Sequence, residues 1–337
     1  MSAERILPWF FALFLIACDK DKEESYVDAD PAFIVELPVG APPLVVPQEN
    51  ALTQARVKLG KALFFDERLS LGNGISCASC HHVTHAFADT VALSRGAGGA
   101  LGLRNSPTLG NVAWQTALFA DGGVPTLEQQ VLAPMHDELE MNSDLNEAAE
   151  QLRGVEPYAS LSQVAYGRAL NGFVITRALA SYERTLISGW SRFDRFHYGG
   201  ETNALNSSEQ NGWAIFNQAG CAECHSGFDL TDHSYRNIGS DADLQNDPGR
   251  ERITLRPEDR GKFKVPTLRN VGVTAPYLHD GSIATLEEVI DHFNSGGSDD
   301  PNKDPLLQPL GLSEQERADL KAFLLSLTDE RSLDQVP

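Results

Sequence analysis

The chain has 337 residues, an apolar fraction of 42% and a formal net charge of −20. That length suits about two domains of roughly 150 residues, and the apolar fraction indicates a folded chain. The acidic balance argues against nucleic-acid binding, because no basic surplus is available to meet phosphates, and it favours a small cationic protein partner.

Residues 1–17 are predicted to be a signal peptide. Arg5 precedes an apolar run over residues 6–16, which is too short to span a bilayer. The run ends in the sequence LIAC, which resembles a bacterial lipobox whose cysteine, Cys18, is lipidated. The alternative is an ordinary cleaved leader with a coincidental cysteine. With a lipid on Cys18, the protein is expected at a membrane surface on the periplasmic side or at the cell surface.

Residues 18–48 are predicted to be a tether, because a charged stretch is followed by a proline-rich one. Two domains follow, an N-terminal one over 49–200 and a C-terminal one over 201–332. Apolar residues recur at helical spacing from residue 51 onward, and a second helix is predicted over 171–188. A capping box at Thr126 opens a short helix between them.

The C-terminal half repeats this plan. A helix over about 208–218 leads into a cysteine motif, and a long loop rich in Asp, Asn, Gly and Pro follows it. Capping boxes at Thr285 and Ser313 open two further helices. Alternating strand patterns are scarce, so the predicted fold is mainly α, with two cytochrome-c-like helical domains and long ordered loops.

Two Cys-x-x-Cys-His motifs carry the chemistry of the chain. They are Cys77–His81, with Cys80 as the second thiol, and Cys221–His225, with Cys224 as the second thiol. Two thiols three positions apart can each bond a vinyl group of one porphyrin, and the adjacent histidine then lies beneath the iron. The sequence therefore predicts one covalent c-type haem in each domain.

Two other interpretations of these cysteines are weaker. A zinc ribbon would use four cysteines on one metal, but the pairs are 144 residues apart and the histidines would have no role. A thioredoxin-type redox pair would need a βαβ pattern, which the sequence does not show.

Further motifs extend the pattern from about residue 50 to 328. They are LGKALFFDERLS at 59–70, RNSPTL at 104–109, DG at 121–122, LEQQ at 127–130, EM at 140–141, YERTL at 182–186, VPTLRN at 265–270 and TAPYLHDG at 274–281. In this order they resemble the bacterial di-haem cytochrome c peroxidase family, which includes the MauG-type enzymes. The resemblance implies peroxide chemistry at the N-terminal haem and electron entry at the C-terminal haem.

The resemblance also implies roles for single residues. Glu140 matches the distal acid–base residue, which would move a proton between the two oxygens of hydrogen peroxide. Gln130 and Pro134 match positions in the distal pocket, and His279 is expected to bond a haem propionate. For Glu140 and Gln130, the alternative is an ordinary polar residue on a helix surface.

A calcium ion between the two domains is implied in the same way. Asn105, Thr274 and Pro276 match the ligands, which would be one amide oxygen and two backbone carbonyls. The alternative is that these are only turn residues. Family members are often dimers, so a homodimer is a further expectation.

The sequence departs from the family at three points. In some members a histidine of the loop over 94–103 ligates the N-terminal iron in the resting state, but here this loop has no histidine. The N-terminal haem is therefore expected to be open to peroxide without prior reduction. Ala120 stands where many members have a tryptophan between the haems, so coupling between the haems is weaker or uses another residue. Phe293 stands where a methionine or tyrosine usually ligates the second iron. That haem is then five-coordinate or ligated by a histidine, with His292 as a candidate.

Three functions follow from these observations. The first is a peroxidase that reduces hydrogen peroxide with electrons from a small redox protein, a cytochrome c or a cupredoxin. The second is a MauG-like enzyme that turns the oxidising power of peroxide on side chains of a partner protein. The third is a non-catalytic di-haem electron carrier.

Overall fold

The computed structural model describes residues 30–240 and 243–333. Helices dominate this part of the chain, and one short antiparallel pair, β1 Tyr235–Arg236 and β2 Phe263–Lys264, is its only sheet. The α-helices are α1 Gln54–Phe64, α2 Leu127–Gln130, α3 Leu132–His136, α4 Leu145–Leu152, α5 Tyr158–Tyr166, α6 Gly172–Glu183, α7 Arg192–His197, α8 Ser207–Gln218, α9 Glu251–Thr254, α10 Leu286–Ser295, α11 Glu314–Leu325 and α12 Glu330–Leu333. The prediction of a mainly helical fold with long loops is confirmed.

The N-terminal core forms where α1 crosses α6. Gly60 lies at the crossing, where a Cβ atom would come within 1.9 Å of the Ala178 carbonyl oxygen. The missing side chain therefore lets the two backbones touch. Leu59, Leu63 and Phe64 of α1 are fully buried in the cluster that this crossing creates.

The C-terminal core has the same arrangement, with α8 and α11 as the two crossing helices. At Gly212 a Cβ atom would come within 2.0 Å of the Asp319 carbonyl oxygen. The rings of Phe216 and Phe323 pack in a tilted arrangement beside this crossing, with ring centroids 5.1 Å apart. Each cysteine motif is thus placed by a pair of helices that cross at a glycine.

Most predicted helices are confirmed, but one boundary is wrong. The helix predicted over 171–188 ends at Glu183. The chain leaves the helix because Asn111 competes for its backbone: the Asn111 N–H donates to the Leu186 carbonyl, and the Ser188 N–H donates to Asn111 Oδ1. The structure also contains helices that the sequence did not predict: α3, α4, α5, α7, α9 and α12.

One segment occurs twice, once in each domain, with a constant offset of 159 residues. Residues 107–129 correspond to 266–288, so that Asn111 corresponds to Asn270 and Thr126 to Thr285. Both asparagines have a left-handed backbone with φ of 60°, and each opens a 3-10 turn. Both threonines cap a helix by accepting a backbone N–H. The repeat therefore extends from sequence to local structure.

Residues 30–48, which the sequence predicted to be part of a tether, lie along the N-terminal domain. The Phe33 N–H donates to the Leu52 carbonyl at 3.0 Å, and Val35 and Leu44 pack against the core. The predicted signal peptide and Cys18 lie outside the described residues. Within 30–240 and 243–333, no helix combines the length and apolarity needed to cross a bilayer.

Candidate haem sites and active site

Each cysteine motif forms a single tight turn. In the first, the N–H groups of Cys80 and His81 both donate to the Cys77 carbonyl, at 3.2 and 3.0 Å. In the second, Cys224 and His225 donate to the Cys221 carbonyl at 3.3 and 2.9 Å. All four thiols are free of disulfides and partly accessible. The two turns therefore present two thiols and an imidazole in the same arrangement.

Each motif histidine is held by a backbone carbonyl. His81 Nδ1 lies 2.8 Å from the Phe87 carbonyl, and His225 Nδ1 lies 3.1 Å from the Leu230 carbonyl. Because a carbonyl only accepts, Nδ1 carries the proton and Nε2 keeps its lone pair for a metal. Burial lowers the pKa of both imidazoles, which favours the neutral form that binds iron. The residues present thus fit one c-type haem in each domain.

Glu140 lies in a turn just after α3. Its N–H donates to the Asp137 carbonyl at 3.0 Å, and the next residue, Met141, donates to the Pro134 carbonyl at 3.0 Å. Glu140 as a whole residue is exposed to solvent. The surrounding chain nevertheless removes part of its water, and together with the negative Asp137 this raises the pKa of Glu140 to about 7.

The loop that lacks a histidine clamps this turn. The Ala97 N–H donates to the Glu140 carbonyl at 2.7 Å. At Gly96 a Cβ atom would come within 2.1 Å of the Leu139 carbonyl oxygen, so the loop backbone touches the turn directly. The loop over 94–103 therefore fixes the backbone from which the Glu140 carboxyl extends.

Glu140 lies within electrostatic reach of both thiols of the first motif. Burial is the main cause that raises the pKa of Cys77 to about 12, and the charges of Glu183 and Glu140 add to it. The pKa of Cys80 is also raised, by burial and by Asp89 and Glu140. The structure therefore brings the predicted acid–base residue to the edge of the first haem site.

The sequence did not single out Glu183. Its side chain is 6% exposed, its Oε2 has no hydrogen-bond partner, and burial raises its pKa to about 8. Arg184 lowers this pKa and Glu128 raises it, but neither effect outweighs burial. The sequence did offer one signal for this buried carboxyl, because Glu183 lies on the apolar face of the helix predicted over 171–188.

Gln130 and Pro134 occupy the helices that lead to Glu140. Gln130 is the last residue of α2, and Pro134 lies within α3, which begins two residues after Gln130 and ends at His136. Both residues are partly buried. The three predicted distal residues therefore lie on one short stretch of chain.

The predicted calcium ligands lie where the two domains meet. The Asn105 N–H donates to the His279 carbonyl at 2.8 Å, which joins the loops that carry Asn105 and Pro276. The Asn105 amide nitrogen donates to the Val91 carbonyl at 2.9 Å, which leaves the amide oxygen for a cation. Among the described residues, no cluster of three His, Cys, Asp or Glu could hold a metal, but Asn105, Thr274 and Pro276 are of other types.

Three more predicted positions can be located. His279 stacks on Phe263 with ring centroids 3.6 Å apart, and burial lowers its pKa. The carbonyl of Ala120 accepts the Lys264 N–H at 2.7 Å, so this position lies directly on the C-terminal domain. His292 Nε2 lies 2.9 Å from the Ile238 carbonyl, which argues against His292 as a ligand of the second iron.

An ion-pair network that the sequence did not predict joins the two domains. Asp121 is fully buried, and its carboxylate accepts from Arg104 at 2.8 Å and from Arg252. Arg104 also forms a bidentate pair with Asp247, with both distances 2.7 Å. The loop that carries Asp247 and Arg252 is thereby fastened to the N-terminal domain.

Comparison with known proteins supports two family assignments. The model of the di-haem cytochrome c peroxidase family matches residues 54–203, and the cytochrome c model matches residues 209–328. The chain is 39% identical to the methylamine utilization protein MauG of Methylorubrum extorquens, over 86% of this chain and 83% of that one. It is 36% identical to the cytochrome-c peroxidase IdrP1 of Denitromonas iodatirespirans, over 86% of each.

A solved structure is similar over nearly its whole length. It is a MauG-like protein associated with microbial copper homeostasis, and it superposes with a TM-score of 0.85 at 33% identity. The match covers 90% of this chain and 98% of that one. Fold and sequence therefore point to the same group of proteins.

Proposed function

Because this chain belongs to the di-haem cytochrome c peroxidase and MauG family, we propose that it reduces hydrogen peroxide to water at its N-terminal haem. The family implies two c-type haems and an oxidoreductase activity. The observation that supports peroxide as substrate is that Glu140, a carboxyl with a pKa of about 7, lies within electrostatic reach of Cys77 and Cys80.

A haem bound at His81 would supply an iron at which peroxide is reduced by two electrons. Glu140 is proposed to transfer the proton. Its carboxylate takes the proton from one oxygen of hydrogen peroxide and returns it to the other, so that the second oxygen leaves as water. Two protons from solvent and two electrons complete the conversion of one peroxide into two waters. A pKa near neutrality suits both the uptake and the return of the proton.

The electrons are proposed to come one at a time through the C-terminal domain from a small redox protein. With a net charge of −20, the chain favours a cationic cytochrome c or cupredoxin, because opposite charges speed encounter. The backbone hydrogen bond from the Lys264 N–H to the Ala120 carbonyl and the ion pairs around Asp121 hold the two domains at a fixed separation. A fixed separation keeps the electron path constant.

A second candidate is a MauG-like enzyme that oxidises side chains of a partner protein. The identity of 39% to MauG and the superposition on the MauG-like copper-homeostasis protein favour it. Ala120 and Phe293 argue against a close copy of MauG. The third hypothesis, a non-catalytic electron carrier, is not proposed, because the family is one of oxidoreductases.

Steady-state peroxide turnover distinguishes the two candidates. The purified di-haem protein is mixed with hydrogen peroxide and a reduced basic cytochrome c or cupredoxin, and donor oxidation is followed by absorbance. The peroxidase predicts two donors oxidised per peroxide, with a rate that falls as salt screens the charges. Fast peroxide reaction at the haem with no donor oxidation by either carrier would favour the second candidate. No reaction of peroxide with the as-isolated protein would overturn both.

Calcium, lipidation and assembly remain proposals. Asn105, Thr274 and Pro276 are proposed to hold one calcium between the domains, which metal analysis before and after chelation would test. Cys18 is proposed to carry a lipid that anchors the protein on the periplasmic side or at the cell surface, and mass spectrometry of the mature N-terminus tests this. A homodimer is proposed from the family, and light scattering would measure it.

A further inference from the structure

Phe293 lies near the end of α10, the helix whose Leu286 and Ile290 are buried in the C-terminal core. Phe293 follows these two residues at helical spacing. Cys221 of the second motif packs against the same core. Phe293 therefore stands on the face of α10 that looks toward the second haem site.

The side chains that could ligate iron from this face have other partners. Methionine is absent from residues 201–337. The His292 ring nitrogen Nε2 is bound to the Ile238 carbonyl at 2.9 Å, and the Tyr277 hydroxyl donates to the Val271 carbonyl at 2.8 Å. His279 is stacked on Phe263.

The remaining histidine of this domain, His233, lies on the same side of the haem site as His225. It follows Leu230, whose carbonyl holds the His225 imidazole, on the same loop. Asp232, the residue before His233, donates its N–H to the Cys224 carbonyl at 2.8 Å, which ties this loop to the motif. His233 thus belongs to the side of the site that His225 already occupies.

We infer that the C-terminal haem keeps one axial position free of protein ligands, and that this position binds a small neutral diatomic molecule such as carbon monoxide or nitric oxide. Phe293 makes the surroundings of this position apolar, which favours a neutral ligand over a hydrated ion. The inference rests on family membership for the presence of the haem and is independent of peroxide turnover.

Carbon monoxide titration of the fully reduced di-haem protein tests this inference. Phe293→Met introduces a thioether, a known axial ligand, at this face. Phe293→Leu is the matched control, because it keeps the side chain apolar and cannot ligate. We expect the wild type and Phe293→Leu to bind the same amount of carbon monoxide, and Phe293→Met to bind one equivalent less per chain. The ferric Phe293→Met protein should also gain one low-spin signal in electron paramagnetic resonance.

The wild-type count separates this inference from the proposed function. Two equivalents per chain are expected when both haems are open. One equivalent that falls to none in Phe293→Met would support the open C-terminal site and contradict an open N-terminal one. One equivalent that Phe293→Met leaves unchanged, with a low-spin C-terminal haem already in the wild type, would overturn the inference. Haem content and thermal midpoints of both variants establish that the proteins are folded.

Discussion

Gly96→Ala should slow the reaction with peroxide while leaving both haems in place. A Cβ atom at this position would come within 2.1 Å of the Leu139 carbonyl oxygen, whereas real Cβ contacts are essentially never shorter than 3.0 Å. The loop and the turn must therefore separate by about 1 Å. Because the turn carries Glu140, its carboxyl shifts by a similar distance. A misplacement of about 1 Å can reduce a rate about 100-fold.

The assay is stopped-flow mixing of the as-isolated protein with hydrogen peroxide, followed at the haem Soret band. We expect the second-order rate constant to fall about 100-fold in Gly96→Ala. Gly98→Ala is the matched control, because a Cβ atom there meets nothing within 4 Å and the residue belongs to the same loop. It should react like the wild type.

An unchanged rate constant in Gly96→Ala, with normal haem content and thermal midpoint, would refute the idea that this loop positions Glu140. A loss of haem from Gly96→Ala alone would instead show a structural effect. In that case, Ala97→Pro, which removes the N–H that donates to the Glu140 carbonyl at 2.7 Å, provides a second way to loosen the turn.

Three further outcomes are expected. Because the carboxylate of Glu140 must accept the first proton, the peroxide rate constant should rise with pH up to about 7 and then level off, and Glu140→Gln should be pH-independent and about 100-fold slower by stopped flow. Arg104→Ala should cost about 3 kcal/mol in chemical unfolding, because Asp121 stays buried with one partner fewer, whereas an unchanged midpoint would contradict the network. Burial raises the pKa of Glu183 in the folded state, so its stabilising effect is complete below about pH 4.5 and is lost as pH rises through about 8. Glu183→Gln should remove this pH dependence, on the order of 5 kcal/mol, from unfolding curves.

Patterns that act over short stretches of chain were predictable from the sequence. The haem motifs, α1, α8 and the helices capped at Thr285 and Ser313 depend on neighbours within one or two turns. Such signals are local, because a cap or a motif needs only residues three or four positions apart. The mainly helical fold follows from them.

Contacts between distant residues explain what was missed. The helix predicted to reach 188 ends at Glu183 because Asn111, more than 70 residues earlier, binds the chain that follows. The ion pair between Arg104 and Asp247 joins residues 143 positions apart. The partner of His292 is likewise a backbone carbonyl 54 residues away. No spacing rule relates such positions, so the sequence could not reveal them.

The internal repeat shows where the two domains begin to differ. The repeat covers residues 107–129 and 266–288 and ends before Glu140. After it, α2 and α3 lead into the turn that carries Glu140, whereas α10 continues as one helix to Ser295. We therefore expect proton transfer to peroxide in the N-terminal domain, where Glu140 lies, and not in the C-terminal domain.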